Sequence, residues 1–258
     1  MKKRLDHLLV ERGLAETRSK AQALVLAGLV VGHSKPGEQV DEEEALEVGA
    51  PPPYVSRGGM KLRNALDGFR VEVEGRDCVD VGASTGGFTD CLLQAGAARV
   101  VAIDVGYGQL HPRLRADPRV TVLERTNVRF LGELPFPPDL VVCDVSFIGV
   151  GKALPPVLAL ARPGWEAVVL VKPQFEAEPE RVRKGVVRDP EVHRNALESV
   201  IEAARAWGAE TVGVVDSGLP GPKGNREFFL HLLDRTARTD ATTQDDIDRW
   251  IHDAVGTA

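Results

Sequence analysis

CVDVGASTGGFTD, residues 78–90, is an apolar run that breaks into small residues and then resumes at helical spacing. Asp80, Gly82, Ser84 and Gly86 stand two apart, so the backbone can turn sharply and a ligand can approach it closely. Open α/β sheets bind ligands at such a point, beyond the carboxyl end of a central strand. The next apolar run, RVVAID, ends in Asp104, 22 residues after Gly82, where a carboxylate can accept hydrogen bonds from both ribose hydroxyls of an adenosine. A dinucleotide dehydrogenase prefers G-x-G-x-x-G with a helix aimed at pyrophosphate. Here Ser84 replaces the middle glycine, the spacing differs, and an acid precedes the first glycine. S-adenosylmethionine has no pyrophosphate and tolerates that carboxylate, so the loop favours this cofactor over a dinucleotide, with a plain packing turn as the remaining reading.

Downstream, RVVAID, VTVLE, PDLVVCDVSF and WEAVVLVKP read as buried strands, too continuously apolar to be half exposed. Residues 86–95, 150–161 and 191–207 have helical length and spacing, and 211–215 and 228–233 add two more strands. The repeating βα unit implies a largely parallel, Rossmann-like α/β sheet. From Asp234 on the chain is acid-rich and poor in apolar residues, and 234–258 is expected to be an acidic, frayed tail.

Upstream, Leu5, Leu8 and Leu9 lie at helical spacing, and Thr17 as N-cap with Gly28 as terminator brackets a second helix. LVVGH, 29–33, reads as a short strand. The acidic DEEEALE and then GAPPPYVSRGG mark a linker, since consecutive prolines favour extended chain. The expected organisation is a small α+β domain over 1–50, a linker over 51–56, a catalytic domain over 57–233 and the tail.

The 258 residues carry a formal charge of −6, which opposes nucleic-acid binding until its distribution is considered. Basic residues concentrate in 1–35, including Arg4, Arg18 and Lys20, while acids collect in 38–47 and near the end. Cys78, Cys91 and Cys143 lack the paired spacing of a zinc site and read as reduced and buried, and no metal is expected. No stretch approaches the ~20 apolar residues of a membrane span, and MKKRLDHLLVERG turns charged too soon for a signal peptide, so a cytoplasmic protein is expected.

Asp144, Lys172 and Glu227 fall at strand ends or helix starts on one rim of the proposed sheet, with Lys61 just before the first core strand. Singly, each is most often a solvated strand end. Jointly they suit methylation of a ribose hydroxyl, which must lose its proton as it attacks a methylsulfonium. Two neighbouring lysines would push their proton affinities apart, with Asp144 and Glu227 orienting them and Lys172 as base. Adenine amino methylation would use an Asn/Asp-Pro-Pro-aromatic turn where this chain has Asp144-Val145-Ser146-Phe147, and Cys143 reads as a buried hydrophobe rather than a cytosine-attacking thiol.

DVGASTGGFTD, DVGYGQL, ERTN, CDVSFI, VKPQFE, GVVRD and GPKGNREFF together resemble the TlyA family, also called hemolysin A, over roughly residues 1–233. The resemblance implies an N-terminal RNA-binding module of the S-four ribosomal-protein type and a class I methyltransferase domain of the FtsJ kind, with seven strands, one antiparallel. It implies a catalytic tetrad of Lys61, Asp144, Lys172 and Glu227, and a cofactor site at Asp80, Gly82, Ser84, Gly86, Asp104 and Asn127. It also implies a cytidine ribose in ribosomal RNA or a ribosomal subunit as acceptor. The chain departs from the family in HPRLR after VGYGQL, where a Trp-containing helix start is usual. Arg4, Arg18 and Lys20 are the phosphate-contact candidates of the module. Arg181, Arg183, Lys184 and Arg188 form a second basic stretch that reads equally well as a solvated loop. With no aromatic residue among the first 50, the module is expected to bind folded RNA through its backbone. A non-catalytic ribosome-assembly factor is the rival of another class. Membrane lysis, suggested by the family's older name, lacks an apolar span or a basic amphipathic helix.

Overall fold

The computed structural model describes every residue except 27, 28, 50, 51, 179, 180, 183, 238–240, 257 and 258, so Gly28 and Arg183 lie outside the described residues. The chain forms two compact units, Met1–Pro53 and Tyr54–Ala258.

In the first unit β1 (Lys2–Arg4) pairs antiparallel with β2 (Gln39–Asp41), and α1 (Leu5–Glu11) and α2 (Arg18–Leu26) bury Leu5, Leu8, Leu9, Ala21 and Val25 against Val30 and Val40. Thr17 caps α2 by accepting a hydrogen bond from the Lys20 amide at 3.2 Å. The strand expected at 29–33 is reduced to one bridge between Val30 and Val48. The unit's sheet is instead made by two three-residue strands, too short to show an alternating pattern.

The second unit begins earlier than the linker assignment implied. Tyr54 is buried against Gly59, where a Cβ would collide with its ring, and the Val55 amide donates to Asp90 at 2.9 Å. The helix α3 (Arg57–Phe69) follows, formed despite its paired glycines. Then come β3 (Asp77–Val81), α4 (Gly87–Gln94), β4 (Arg99–Ile103), α5 (Pro112–Arg115), β5 (Val120–Leu123) and β6 (Leu140–Cys143). The chain continues through α6 (Val150–Ala153), α7 (Pro155–Leu158), β7 (Glu166–Val171), α8 (Pro173–Glu176), α9 (Pro190–Ala206), β8 (Ala209–Asp216), β9 (Phe228–Asp234) and α10 (Gln244–Gly256).

The seven strands β3–β9 form one sheet in the order β5-β4-β3-β6-β7-β9-β8, with β9 antiparallel to both neighbours and the first five parallel. Both faces are covered. Val79, Val81, Val141 and Val169 pack toward Leu197, Ile201 and Ile251, while Cys78, Val142, Leu170 and Phe229 pack toward Leu62, Leu66 and Leu92. Burial on both sides is why these strands are continuous in valine and leucine rather than alternating. The strand order reverses between β3 and β6, so the crevice between their carboxyl ends is the natural ligand position.

Two expectations are corrected here. The single helix expected at 150–161 is two short helices, because Pro155 and Pro156 supply no amide to carry the first into the second. Among the described residues the tail does not fray: β9 runs to Asp234, and α10 buries Ile247, Ile251, Ala254 and Val255 beside α9 and β8. Arg226 donates at 2.7 Å to each of the Ala254 and Val255 carbonyls, supplying partners that the end of a helix otherwise lacks. The three cysteines are free and buried, and burial pushes the Cys91 thiol up to about 12 and that of Cys143 higher still. Among the described residues no helix is long and apolar enough to cross a membrane, and no group of His, Cys, Asp and Glu could hold a metal.

Candidate active site

A cavity of about 470 Å³ opens at the switch point, lined by Gly82, Ser84, Asp104, Asn127 and Asp144 together with apolar Ile103, Val105, Val128, Val145 and Ile148. Its volume falls in the ~300–1,000 Å³ range of small-ligand sites. Gly82 has φ +87°, and a Cβ there would collide with the Asp144 carbonyl, so β3 and β6 come together through a position only glycine fits. Asp104 follows β4, and its carboxylate accepts from the Ser84 amide at 2.7 Å and the Gly106 amide at 2.6 Å. Those bonds fix its orientation and leave lone pairs for a diol. Asn127 accepts from the Arg129 amide at 3.1 Å. A carboxylate on a cavity of this size with apolar walls fits an adenosine-containing cofactor.

Two sequence candidates fall elsewhere. Asp80 is wholly buried beneath the loop, where Oδ2 accepts from the Thr89 amide at 2.9 Å and the Thr89 hydroxyl at 2.7 Å, propping the first turn of α4. Its Oδ1 meets no donor among the described residues. Burial, reinforced by the charges of Asp144 and Asp104, pushes this carboxyl up to about 7. Gly86, with φ +94°, caps α4 and lets Leu114 and Leu110 pack where a Cβ would sit. Neither residue lines the cavity.

A second cavity, about 250 Å³, shares Gly82, Ser84 and Asp144 with the first and is lined by all four tetrad candidates. Lys61 comes from α3, Asp144 follows β6, Lys172 follows β7, and Glu227 precedes β9. Lys61 and Glu227 form an ion pair at 2.5 Å and are both buried, Glu227 to 1% exposure. Glu227 also accepts from the Gln174 amide group at 3.3 Å, and a Cβ on Gly221 would collide with its carboxylate. Lys172 pairs with Asp144, and its Nζ lies 2.9 Å from the Ser146 hydroxyl. Burial raises the Asp144 carboxyl above its ordinary value, and the Lys172 charge opposes the rise. Each of the two lysines thus has its own carboxylate in contact, because a charge with little water around it is costly unless its opposite is in contact.

In the first unit, Asp6 is fully buried and accepts from Arg4 at 3.1 and 3.0 Å, Arg18 at 3.0 Å and Gln22 at 2.8 Å. These donors, Arg4 foremost, hold its carboxyl well below the usual range. One buried carboxylate therefore gathers the partly exposed guanidinium groups of Arg4 and Arg18, while Lys20 is apart from them on Glu16. In the second unit Arg181, Lys184 and Arg188 are exposed and pair with no acid among the described residues.

Sequence reasoning missed Ser146 and Gln174, the neighbours of Lys172 and Glu227, as well as Ser56 and Arg57 on the tetrad cavity and Phe147 on the cofactor cavity. Phe147 carries a signal visible only in three dimensions: its φ is +68°, it is 88% exposed, and its ring lies 5.3 Å from that of Phe175.

Residues 54–233 match the family model of the FtsJ-like methyltransferases. The chain is 45% identical to the 16S/23S rRNA (cytidine-2′-O)-methyltransferase TlyA of Mycobacterium tuberculosis, with 98% of this chain and 97% of that protein covered. A solved hemolysin-type structure from Streptococcus thermophilus superposes with a TM-score of 0.76 at 39% identity, covering 99% of this chain and 94% of that one. At 16% identity and a TM-score of 0.50, an S-adenosylmethionine-dependent methyltransferase of Mesorhizobium loti shares the fold alone, over 67% of this chain and 97% of its own. With the glycine-walled cavity and the paired lysines, these likenesses place the chain in the TlyA/hemolysin A family, whose larger domain is an FtsJ-like methyltransferase.

Proposed function

We propose that the protein methylates the 2′-hydroxyl of a cytidine ribose in ribosomal RNA, with S-adenosylmethionine as methyl donor. One arrangement carries the reading: the cavity lined by both lysine–carboxylate pairs meets the cavity suited to a nucleoside cofactor at Gly82, Ser84 and Asp144. Ribosomal RNA and cytidine are supported by the activity named for the Mycobacterium tuberculosis relative, which aligns over nearly the whole chain.

Asp104, Asn127 and the backbone at Gly82 would hold the cofactor, which supplies an electrophilic methyl group on a sulfonium. The protein's task is then to deliver an oxygen nucleophile and remove its proton. Lys172 acts as the base, and Asp144 and Ser146 hold its nitrogen in place. Lys61, fixed by Glu227 and through it by Gln174, presents a second donor from α3 to the ribose. Walls of Gly82, Ala83 and Phe88 restrict water around the reacting groups. In the first unit Arg4 and Arg18, gathered by Asp6, contact RNA phosphates, consistent with a cytoplasmic protein working on ribosomal subunits.

The test is methyl transfer from labelled donor to ribosomal subunits taken from a strain lacking this gene, followed by nuclease digestion and mass spectrometry. Label in 2′-O-methylcytidine is expected. Label on a base, or no transfer to any ribosomal substrate, would overturn the reading.

A further inference from the structure

The tetrad cavity carries a third cation that neither pair accounts for. Arg57, the exposed first residue of α3, lines it with Lys61, Asp144, Lys172 and Glu227. Lys61 is taken by Glu227 and Lys172 by Asp144, whereas Arg57 forms no ion pair or side-chain hydrogen bond among the described residues. With both pairs ionised, the lining side chains leave one uncompensated positive charge, and it sits on Arg57.

The chemistry of an internal ribose supplies the matching anion. The carbon beside C2′ bears the 3′ phosphodiester, so an RNA 2′-hydroxyl cannot enter such a cavity without a negative charge nearby. We propose that Arg57 binds the phosphodiester flanking the acceptor ribose. This rests on the ribose-methylation reading above. Arg57 and Lys61 are four residues apart on one helix, so both lie on the same face of α3 about one turn apart. That helix is anchored by buried Leu62, Ala65 and Leu66, which makes the spacing between phosphate contact and tetrad rigid. A planar guanidinium also suits a phosphodiester better than an ammonium does, because it can donate two parallel hydrogen bonds.

The test compares wild type, Arg57→Gln and Arg57→Lys in the full chain, with unmethylated ribosomal subunits from the deletion strain as substrate. Arg57→Gln is expected to raise KM for the subunit by about tenfold, the scale of one charge-assisted bond. It should also flatten the slope of log affinity against log salt by about 0.7–0.9, one phosphate's share. Saturated kcat, cofactor affinity and melting temperature should stay at wild-type values, and Arg57→Lys should recover most of the loss in KM. Unchanged KM and salt slope in Arg57→Gln overturn the proposal, as does a fall in kcat alone. Failure of the wild type to methylate any ribosomal substrate is a different result and overturns the ribose-methylation reading instead.

Discussion

Replacing Lys61 with Met leaves the Glu227 carboxyl, 1% exposed, with the Gln174 amide group at 3.3 Å as its one remaining side-chain partner among the described residues. At 2.5 Å and an effective dielectric of ~20, the lost gross attraction is about 6–7 kcal/mol. Part of it only offsets the cost of burying both charges, and removal of one partner of such a pair costs about 3–5 kcal/mol. For a domain of this size that amounts to a melting temperature lower by about 10 °C. The companion variant Lys61→Met/Glu227→Leu removes both charges from the same space and should recover most of the stability while remaining unable to transfer methyl groups. Calorimetry of the two single variants and the double variant at pH 7.5 gives the coupling directly. If the double variant is as unstable as the sum of the singles, the pair is not a unit and the account of the cavity as two neutralised pairs is wrong.

Lys172→Ala should lower methyl transfer by about 10²–10⁴-fold with cofactor affinity within twofold, read by single-turnover assay and calorimetric titration; normal turnover would remove its assignment as base. Asp104→Ala should weaken cofactor binding by at least about tenfold and leave subunit binding intact, checked by the same titration. Asp80 has a folded value of about 7 against an ordinary 3.8, so the folded state keeps a proton that the unfolded chain releases. Its contribution is therefore full below about pH 4 and is lost by about pH 7, to the extent of about 4 kcal/mol, and Asp80→Asn should flatten the fall of melting temperature across that window; an unaltered slope refutes the assignment. Ile251→Ala, fully buried in the last helix, should cost about 2–5 kcal/mol by thermal denaturation, and a loss under 0.5 kcal/mol would return that helix to the status of a loose tail.

The strands of the large sheet were legible because burial on both faces writes an unbroken apolar run into each, as in Ala167–Val171, where every side chain is buried. Of the four tetrad candidates, Asp144, Lys172 and Glu227 were legible as charges at strand ends or helix starts on one rim, and Lys61 as a charge just before the first core strand. Which charge touches which was not, because Lys61 finds Glu227 only when α3 and β9 are folded onto the same sheet. Asp80 and Gly86 carry the spacing of ligand contacts but serve the helix start, since a strand end and a helix start demand the same small and acidic residues. The last helix was hidden by composition: Ile247, Trp250, Ile251 and Ala254 keep helical spacing, but the acids between them, which face solvent, read as disorder. The paired three-residue strands of the first unit leave no periodic trace at all.

The two cavities meet at Gly82, Ser84 and Asp144, where the Gly82 backbone packs against the Asp144 carbonyl. A compound joining an adenosine-like half to a ribose-like half would cross that junction and touch both cavities at once. Escape from it by substitution at Gly82 is closed, because any side chain there pushes two central strands apart. Resistance would have to arise at other lining positions, which makes those the places to sequence first in selected strains.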